Sequence, residues 1–336
     1  MKDLAALQAL FQKEIDALQL GSAPEKLYDP MHYIMNLGGK RLRPVLALMG
    51  AGLYGDPSKA MPQAMAIELF HNFSLIHDDI MDGASTRRGQ PVTHEVFAER
   101  HREHLGSGEP RRFGEGMAIL IGDLTFVLSD RLLDDAPSEA REIWHELRLE
   151  LNIGQLLDLM GSAYHDRRRD KAQRICRYKS GKYTVERPLH LGATLAAPDR
   201  AHEFVPALSA FGLPLGDAFQ MRDDVMGAFG DPAITGKPVG DDLREGKPTP
   251  LLAIAVERAD AAGRAVLDRV GRSVLDDRAV DAVQQVIVDC GALAEMEALI
   301  ERLASDAVAA LDGIDLAGSA RAELVALAEY VTQRRD

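Results

Sequence analysis

Asp78, Asp79 and Asp82 form a DDxxD array, Asp78-Asp79-Ile80-Met81-Asp82, that closes a stretch of mostly apolar residues. The stretch, about Ala60–Met81, has helical periodicity and stops at Gly83. Asp78 and Asp82 are i and i+4, which on a helix sets them one above the other, roughly 5–6 Å apart. Two carboxylates that close repel unless one takes a proton or a cation sits between them. Negative charge at the C-terminal end of a helix is unfavourable as well. Magnesium is the natural occupant, a hard ion that takes carboxylate and phosphate oxygens and keeps part of its water. Standing alone, a DDxxD reads first as a solvated acidic helix end.

A second acidic segment changes that reading. Phe219-Gln220-Met221-Arg222-Asp223-Asp224 also lies late in an apolar helix, expected to begin near Pro206. Gly212, Gly216, Gln220 and Asp223 share one helical stripe. Small residues beneath an acidic pair either leave a groove for something long and thin or mark a close helix crossing.

Cations follow the acids closely. Ser85-Thr86-Arg87-Arg88-Gly89-Gln90-Pro91 places two arginines directly after the first array, where guanidinium forks can take phosphate oxygens that a metal leaves free. Gly38-Gly39-Lys40-Arg41-Leu42-Arg43-Pro44 sets Lys40 and Arg43 three apart at a helix start, where anions are favoured. Tyr178-Lys179-Ser180-Gly181-Lys182 carries cations within a helix. Thr235-Gly236-Lys237-Pro238-Val239-Gly240-Asp241-Asp242 and Arg244-Glu245-Gly246-Lys247 lie in an ordered functional loop over about 230–250. Asp166-Arg167-Arg168-Arg169-Asp170 reads as a solvated face with no role.

The elements that must position these groups are helices. The chain has 336 residues, 46% hydrophobic and 27% charged, with period-two alternation nearly absent, so the expectation is an all-α soluble protein. Helices are expected at about 115–134, 138–162 and 170–197, with shorter ones over 250–334 and a loop or mobile insertion over Arg100–Gly114. With no Gly/Ser linker and no repeat, residues 1–336 read as one domain. A net charge of −13 argues against nucleic acid as a partner. Cys176 and Cys290 match no zinc or redox spacing and fit a reducing compartment. The N-terminal stretch reads as an amphipathic helix, and no apolar run is long enough to span a bilayer, so a cytoplasmic protein is expected.

The order GGKRLRP, HNFSLIHDDIMD, STRRGQP, ILIGD, YKSGKYT, FQMRDD, TGKPVGDDLREGK resembles the trans-isoprenyl diphosphate synthase family along nearly the whole chain. That resemblance implies a single-domain helical bundle around a deep central cavity, usually a homodimer, with three magnesium ions for which manganese can substitute. It assigns Asp78 and Asp82 to two ions, with Asp79 in support, and Asp223 to the third beside Asp224. Arg87, Lys179 and Lys237 match positions that grip the allylic diphosphate, while Lys40, Arg43, His71 and Arg88 match the isopentenyl diphosphate site. Ser180 and Gln220 match groups lining the reacting carbons. One position departs from the pattern: Gly227 stands where the second acidic motif has its third aspartate, with Asp231 or Asp242 as candidates to compensate.

The implied chemistry is ionisation of an allylic diphosphate, attack on the cation by the double bond of isopentenyl diphosphate, and proton loss to the departing diphosphate. Water must be excluded from the cation. Phe73, five residues before Asp78, followed by Ser74, resembles the geranylgeranyl pattern for the floor of the product cavity; Phe70 is a second candidate floor or plain core. Ideal periodicity puts Ser74 nearer than Phe73 to the Asp78 face. The alternatives are a farnesyl or longer polyprenyl diphosphate synthase, a class I terpene cyclase, and a non-catalytic subunit of a hetero-oligomer. The second cationic set favours two diphosphates over the single one of a cyclase.

Overall fold

The computed structural model describes residues 40–104, 106–230, 240–314, 316 and 318–333. Fourteen α-helices carry the described chain: α1 Leu42–Tyr54, α2 Met61–Met81, α3 Thr93–Glu103, α4 Pro110–Arg131, α5 Ser138–Ala163, α6 Arg169–Ile175, α7 Arg187–Ala196, α8 Ala201–Phe229, α9 Asp241–Glu245, α10 Pro250–Arg258, α11 Ala261–Leu267, α12 Asp277–Asp289, α13 Ala292–Ala310 and α14 Gly318–Gln333. Between α6 and α7 the chain runs as a π-helix, Cys176–Glu186. Among the described residues the sole strand pairing is a short antiparallel hairpin, Thr86–Arg87 (β1) with Gln90–Pro91 (β2). Among them, too, no helix is long and apolar enough to cross a membrane. The all-α expectation holds.

Helix starts follow local chemistry. Glu109 accepts from the amides of Arg111 and Arg112 with Pro110 in the first turn of α4, and Thr249 accepts from Leu252 with Pro250 starting α10. The loop before α4 is therefore far shorter than the Arg100–Gly114 insertion expected. Gly114 lies inside α4, packed on the backbone of His94 and Ala98. Glycines and polar residues there mark a close crossing of α3 and α4 rather than an excursion. Likewise α8 begins at Ala201 and carries Pro206 and Pro214 inside it. Apolar burial from Phe204 to Ala228 in this 29-residue helix overrides the local cost of the prolines.

Two apolar cores meet at α1 and α7. Leu48, Ile67, Phe70, Ile121, Trp144 and Leu191 belong to one, built on α2, α4 and α5; Leu46, Leu189, Phe211, Leu252 and Ile300 belong to the other, built on α8, α10 and α13. The π-helix threads between α5 and α8. Gly154 of α5 lets the backbone of Tyr178 and Lys179 approach from one side, and Gly216 of α8 meets the backbone of Gly181 from the other. Gly212 likewise lies against the Glu186 backbone. The glycine stripe thus marks close packing, and the groove reading is set aside: its open side is filled by the π-helix.

Candidate active site

The last turn of α2 delivers the first acids. Asp78 accepts from Gln155 Nε2 at 2.8 Å and from Lys179 Nζ at 3.4 Å. Burial alone would raise its pKa, but Lys179, Lys247, Arg87 and the Gln155 bond together hold the carboxyl below the usual range. Asp79 turns the other way. Arg87 grips it with Nε at 2.9 and 3.1 Å and Nη2 at 2.6 Å. Asp82, a turn beyond Asp78, is pushed up to about 6 by burial and by the Asp78 charge, against the pull of Lys247 and Lys179. That is the repulsion the i, i+4 spacing predicts.

The second acids come from α8. Gln220 Nε2 donates to Asp224 Oδ1 at 2.8 Å, while Asp224 Oδ2 is buried without a hydrogen-bond partner among the described residues. Burial first, then the charge of Asp242, lifts its pKa well above the usual carboxylate range. Asp223, Asp224, Gln220, Asp78, Lys179 and Ser180 all line one cavity of about 340 Å³. Lys247 stands between the clusters, its Nζ 3.6 Å from Asp82, 3.7 Å from Asp242 and 2.5 Å from Glu245. Lys179 likewise joins Asp78 to Asp158, the latter at 2.5 Å. Two protein ammonium groups thus pair with acids of the first segment and with acids that face it from other elements.

The π-helix explains how Lys179 and Ser180 reach this cavity while Lys182 does not. Wider turns of i→i+5 type carry an extra residue and shift the side-chain fan, which is why π segments gather at functional sites. Lys182 instead pairs with Glu150 and, at 3.4 Å, Glu186.

A separate cationic cluster lies beside α1 and the hairpin. Arg88 and Gly89 both adopt positive φ, 53° and 73°, as the centre of a two-residue turn of the type that matches strand twist. The turn carries Arg87 and Arg88 out together. Arg43 Nη1 meets His71 Nε2 at 3.2 Å, its Nη2 donates to Thr184 Oγ1 at 2.8 Å, and its guanidinium lies 4.6 Å from the Tyr183 ring centre. Burial, reinforced by Arg43, Arg88, Arg87 and Arg41, drives the His71 pKa far down, so the ring is neutral. Arg88 is pushed down by burial and by Arg41, Arg87 and Arg43, with Glu68 opposing. Glu68 is taken by Arg41. The cluster carries more positive than negative charge, with Arg41 buried, Arg43 and His71 half-buried and Arg88 exposed, an arrangement suited to an anion. Lys40 has its ammonium 5.9 Å from the Tyr330 ring centre. Lys237, Asp231, Gly38 and Gly39 lie outside the described residues.

The sequence profile of the polyprenyl synthetase family matches residues 24–289. This chain belongs to that family. A geranylfarnesyl diphosphate synthase from Aeropyrum pernix is 32% identical over 327 residues, spanning 93% of this chain and 95% of the relative. A (2E,6E)-farnesyl diphosphate synthase from Mycobacterium bovis is 32% identical over 312 residues, 90% of this chain and 81% of the relative. The crystal structure of geranylgeranyl pyrophosphate synthase from Corynebacterium glutamicum, complexed with isoprenyl diphosphate and magnesium, superposes with a TM-score of 0.88 at 34% identity, covering 99% of this chain and 98% of that one. Three product names at near-equal identity mean that overall similarity does not set product length.

Several side chains of this polyprenyl synthetase were not singled out in the sequence. Gln155 and Asp158, i and i+3 on α5, both face the acids, and their spacing is the signal that was there to find. Lys247 of the Arg244-Glu245-Gly246-Lys247 run is another. Arg167 does not lie on the solvated face expected of the Asp166–Asp170 run. It is instead half-buried, donating to the carbonyls of Gly246 at 2.9 Å, Lys247 at 3.3 Å and Val270 at 3.0 Å, and so clamps the Lys247 turn. Phe70 is fully buried against Trp144 and Tyr183, which makes it core. Phe73 is half-buried, edge-on to His77 at 4.7 Å and to Phe126 at 5.1 Å. Ser74 donates to the His71 carbonyl at 2.8 Å.

Proposed function

We propose that this prenyltransferase condenses isopentenyl diphosphate with an allylic diphosphate to give a trans-prenyl diphosphate of geranylgeranyl type, using magnesium. The observation that carries the reading is one cavity lined by Asp78, Asp223, Asp224 and Lys179, with a second cationic cluster beside α1. Two diphosphates need two such sites, whereas a cyclase needs one.

The acids fit magnesium. All are oxygen donors; Asp224 Oδ2 is buried without a partner among the described residues, and burial, then the Asp78 charge, raises Asp82 to about 6, a cost that a bound cation would relieve. Asp78 and Asp82 would hold two ions, with Asp79 supporting through its bond to Arg87, and Asp223 with Asp224 a third; manganese is a suitable substitute. Among the described residues no three acid, His or Cys groups converge into a ready-made metal site, so substrate oxygens are required to complete each shell. Bound magnesium would neutralise the leaving diphosphate.

The protein's own groups do the rest. Lys179, Lys247 and Arg87, already turned toward the acids, hold the allylic diphosphate and stabilise it as it departs. Lys237 is assigned to the same task by its place in the motif. Arg43, Arg88 and Lys40 bind the second diphosphate, and neutral His71 adds a hydrogen bond without adding charge. Ser180 and Gln220 border the reacting carbons. The apolar core under α2 keeps water from the cation. No side-chain nucleophile is required.

Exposed apolar stripes on α4 (Ile119, Leu120, Val127) and α5 (Leu149, Leu156, Met160) support a homodimer built on these helices. Leu120→Glu with Leu156→Glu is expected to yield monomers by sedimentation; an unchanged dimer refutes this face. The unpaired thiols of Cys176 and Cys290 support a cytoplasmic setting.

The deciding assay supplies magnesium, isopentenyl diphosphate and each allylic starter in turn and measures product length. Asp78→Ala and Asp223→Ala are expected to lower turnover by about two orders of magnitude or more with circular dichroism unchanged. Near-normal condensation by either variant ends the metal assignment, and an inactive purified wild type favours the regulatory-subunit alternative.

A further inference from the structure

Gly227 follows Asp223 by four residues on α8, so a side chain there would share the face of Asp223. The space is already taken. A Cβ built on Gly227 would lie 2.6 Å from Asp242 Cγ and nearer still to its Oδ2, far inside contact distance. We propose that Asp242, carried in on the short helix α9, supplies to the second metal cluster the carboxylate that position 227 lacks, so that this cluster keeps three acids drawn from two elements. The inference rests on the function proposed above and names a further group in the same site.

Three observations bear on it. Asp242, Gly227, Asp223 and Asp224 line the same cavity. Asp224 is 5% exposed, and its Oδ2 is buried in that cavity wall without a hydrogen-bond partner among the described residues, which points to a cationic ligand rather than a self-contained acid pair. Finally, the placement of Asp242 is built in. Gly240 and Gly246 flank α9 in left-handed conformations, φ 71° and 72°; Leu243 is buried; and Arg244 ties the helix to the Leu275 carbonyl and, at 2.7 Å, to Asp277. Lys247 Nζ, 3.7 Å from Asp242, balances the extra acid without metal. The carboxylate thus enters from α9 across the cavity instead of from α8, and nothing larger than glycine at 227 leaves it room.

The test measures Mn2+ binding to the full-length protein in the presence of inorganic pyrophosphate, by the electron paramagnetic resonance signal of free Mn2+. Asp242→Asn, which keeps shape and loses charge, is expected to weaken the weakest-bound ion by about 10- to 100-fold. Combining Gly227→Asp with Asp242→Ala, which clears the carboxylate that a Cβ at 227 would meet, restores the acid from the α8 side and is expected to recover most of the affinity that Asp242→Ala alone loses. Thermal melting without metal accompanies every variant. Unaltered Mn2+ binding by Asp242→Asn overturns the inference. So does a loss that Gly227→Asp fails to recover, since a merely structural part for Asp242 would behave that way. Wild-type condensation is run alongside: an active wild type with an unaffected Asp242→Asn refutes this inference alone, whereas an inactive wild type refutes the function on which it rests.

Discussion

Replacing Gly154 by alanine pushes directly on the backbone that presents Lys179. The added Cβ would stand 2.5 Å from Lys179 Cα and 2.7 Å from the Tyr178 carbonyl carbon, where ordinary contact begins at 3.4 Å. Backbone, unlike a side-chain tip, cannot swing aside, so α5 and the π-helix must part by most of an ångström. Gly216→Ala acts from the opposite side, with Cβ 2.8 Å from Gly181 Cα and 2.7 Å from its carbonyl carbon. Overpacking of this kind costs about 1–3 kcal/mol. It lowers the melting temperature by roughly 2–4 °C per kcal/mol in domains of 150–250 residues, and by somewhat less in a chain of this length. The catalytic penalty is larger than the stability penalty suggests, because a misplacement of about 1 Å at a charged group can cost about 100-fold in rate. Steady-state condensation kinetics and thermal melts on both variants provide the assay. Gly52→Ala is the control: its Cβ meets nothing within 4 Å, and helix propensity predicts a small gain in stability. Wild-type kcat/KM in both Gly154→Ala and Gly216→Ala would refute the claim that these glycines set the register of the π-helix.

The remaining expectations concern product length, the Lys247 turn and pH. Phe73→Ala and Phe126→Ala open the same edge-on aromatic pair and are expected to lengthen the product; an unaltered product profile from both removes these rings as the floor. Arg167→Ala strips donors from three carbonyls, at a cost of about 1–3 kcal/mol for buried groups left unpaired, and loosens the turn bearing Lys247. A raised KM for the allylic substrate together with a lower melting temperature is expected, and an unchanged KM counts against the clamp. His190 is buried, with burial first and then Arg187 and Lys182 lowering its pKa to about 3. Between that value and the ordinary 6.5, the unfolded chain binds a proton that the folded chain refuses, so stability falls as pH drops through this window. The loss from this one group between pH 7 and pH 5 is about 2 kcal/mol. Urea titrations of His190→Gln are expected to show that much less acid destabilisation, and an identical pH slope in both proteins would refute it.

What lies within one helix was legible in the sequence. The i, i+4 pairing of Asp78 and Asp82 follows from 3.6 residues per turn, and the Asp78 charge adds to burial in raising the affinity of Asp82 for a proton. Helical periodicity gave the all-α class, and the order of acidic and basic motifs gave the chemistry. Partners drawn from different elements were not legible, because spacing along the chain carries no information on separation in space. Asp79 bonds to Arg87 rather than standing with Asp78, Gln155 and Asp158 enter from α5, and Lys247 sits among acids of two other segments. The glycine stripe on α8 was ambiguous for the same reason: small residues permit a close approach, and only packing decides whether backbone or ligand makes it. The π-helix is the clearest case. Its extra residue per turn is stabilised by what α5 and α8 press against it through Gly154 and Gly216, so tertiary contact decided which of Lys179 and Lys182 faces the acids.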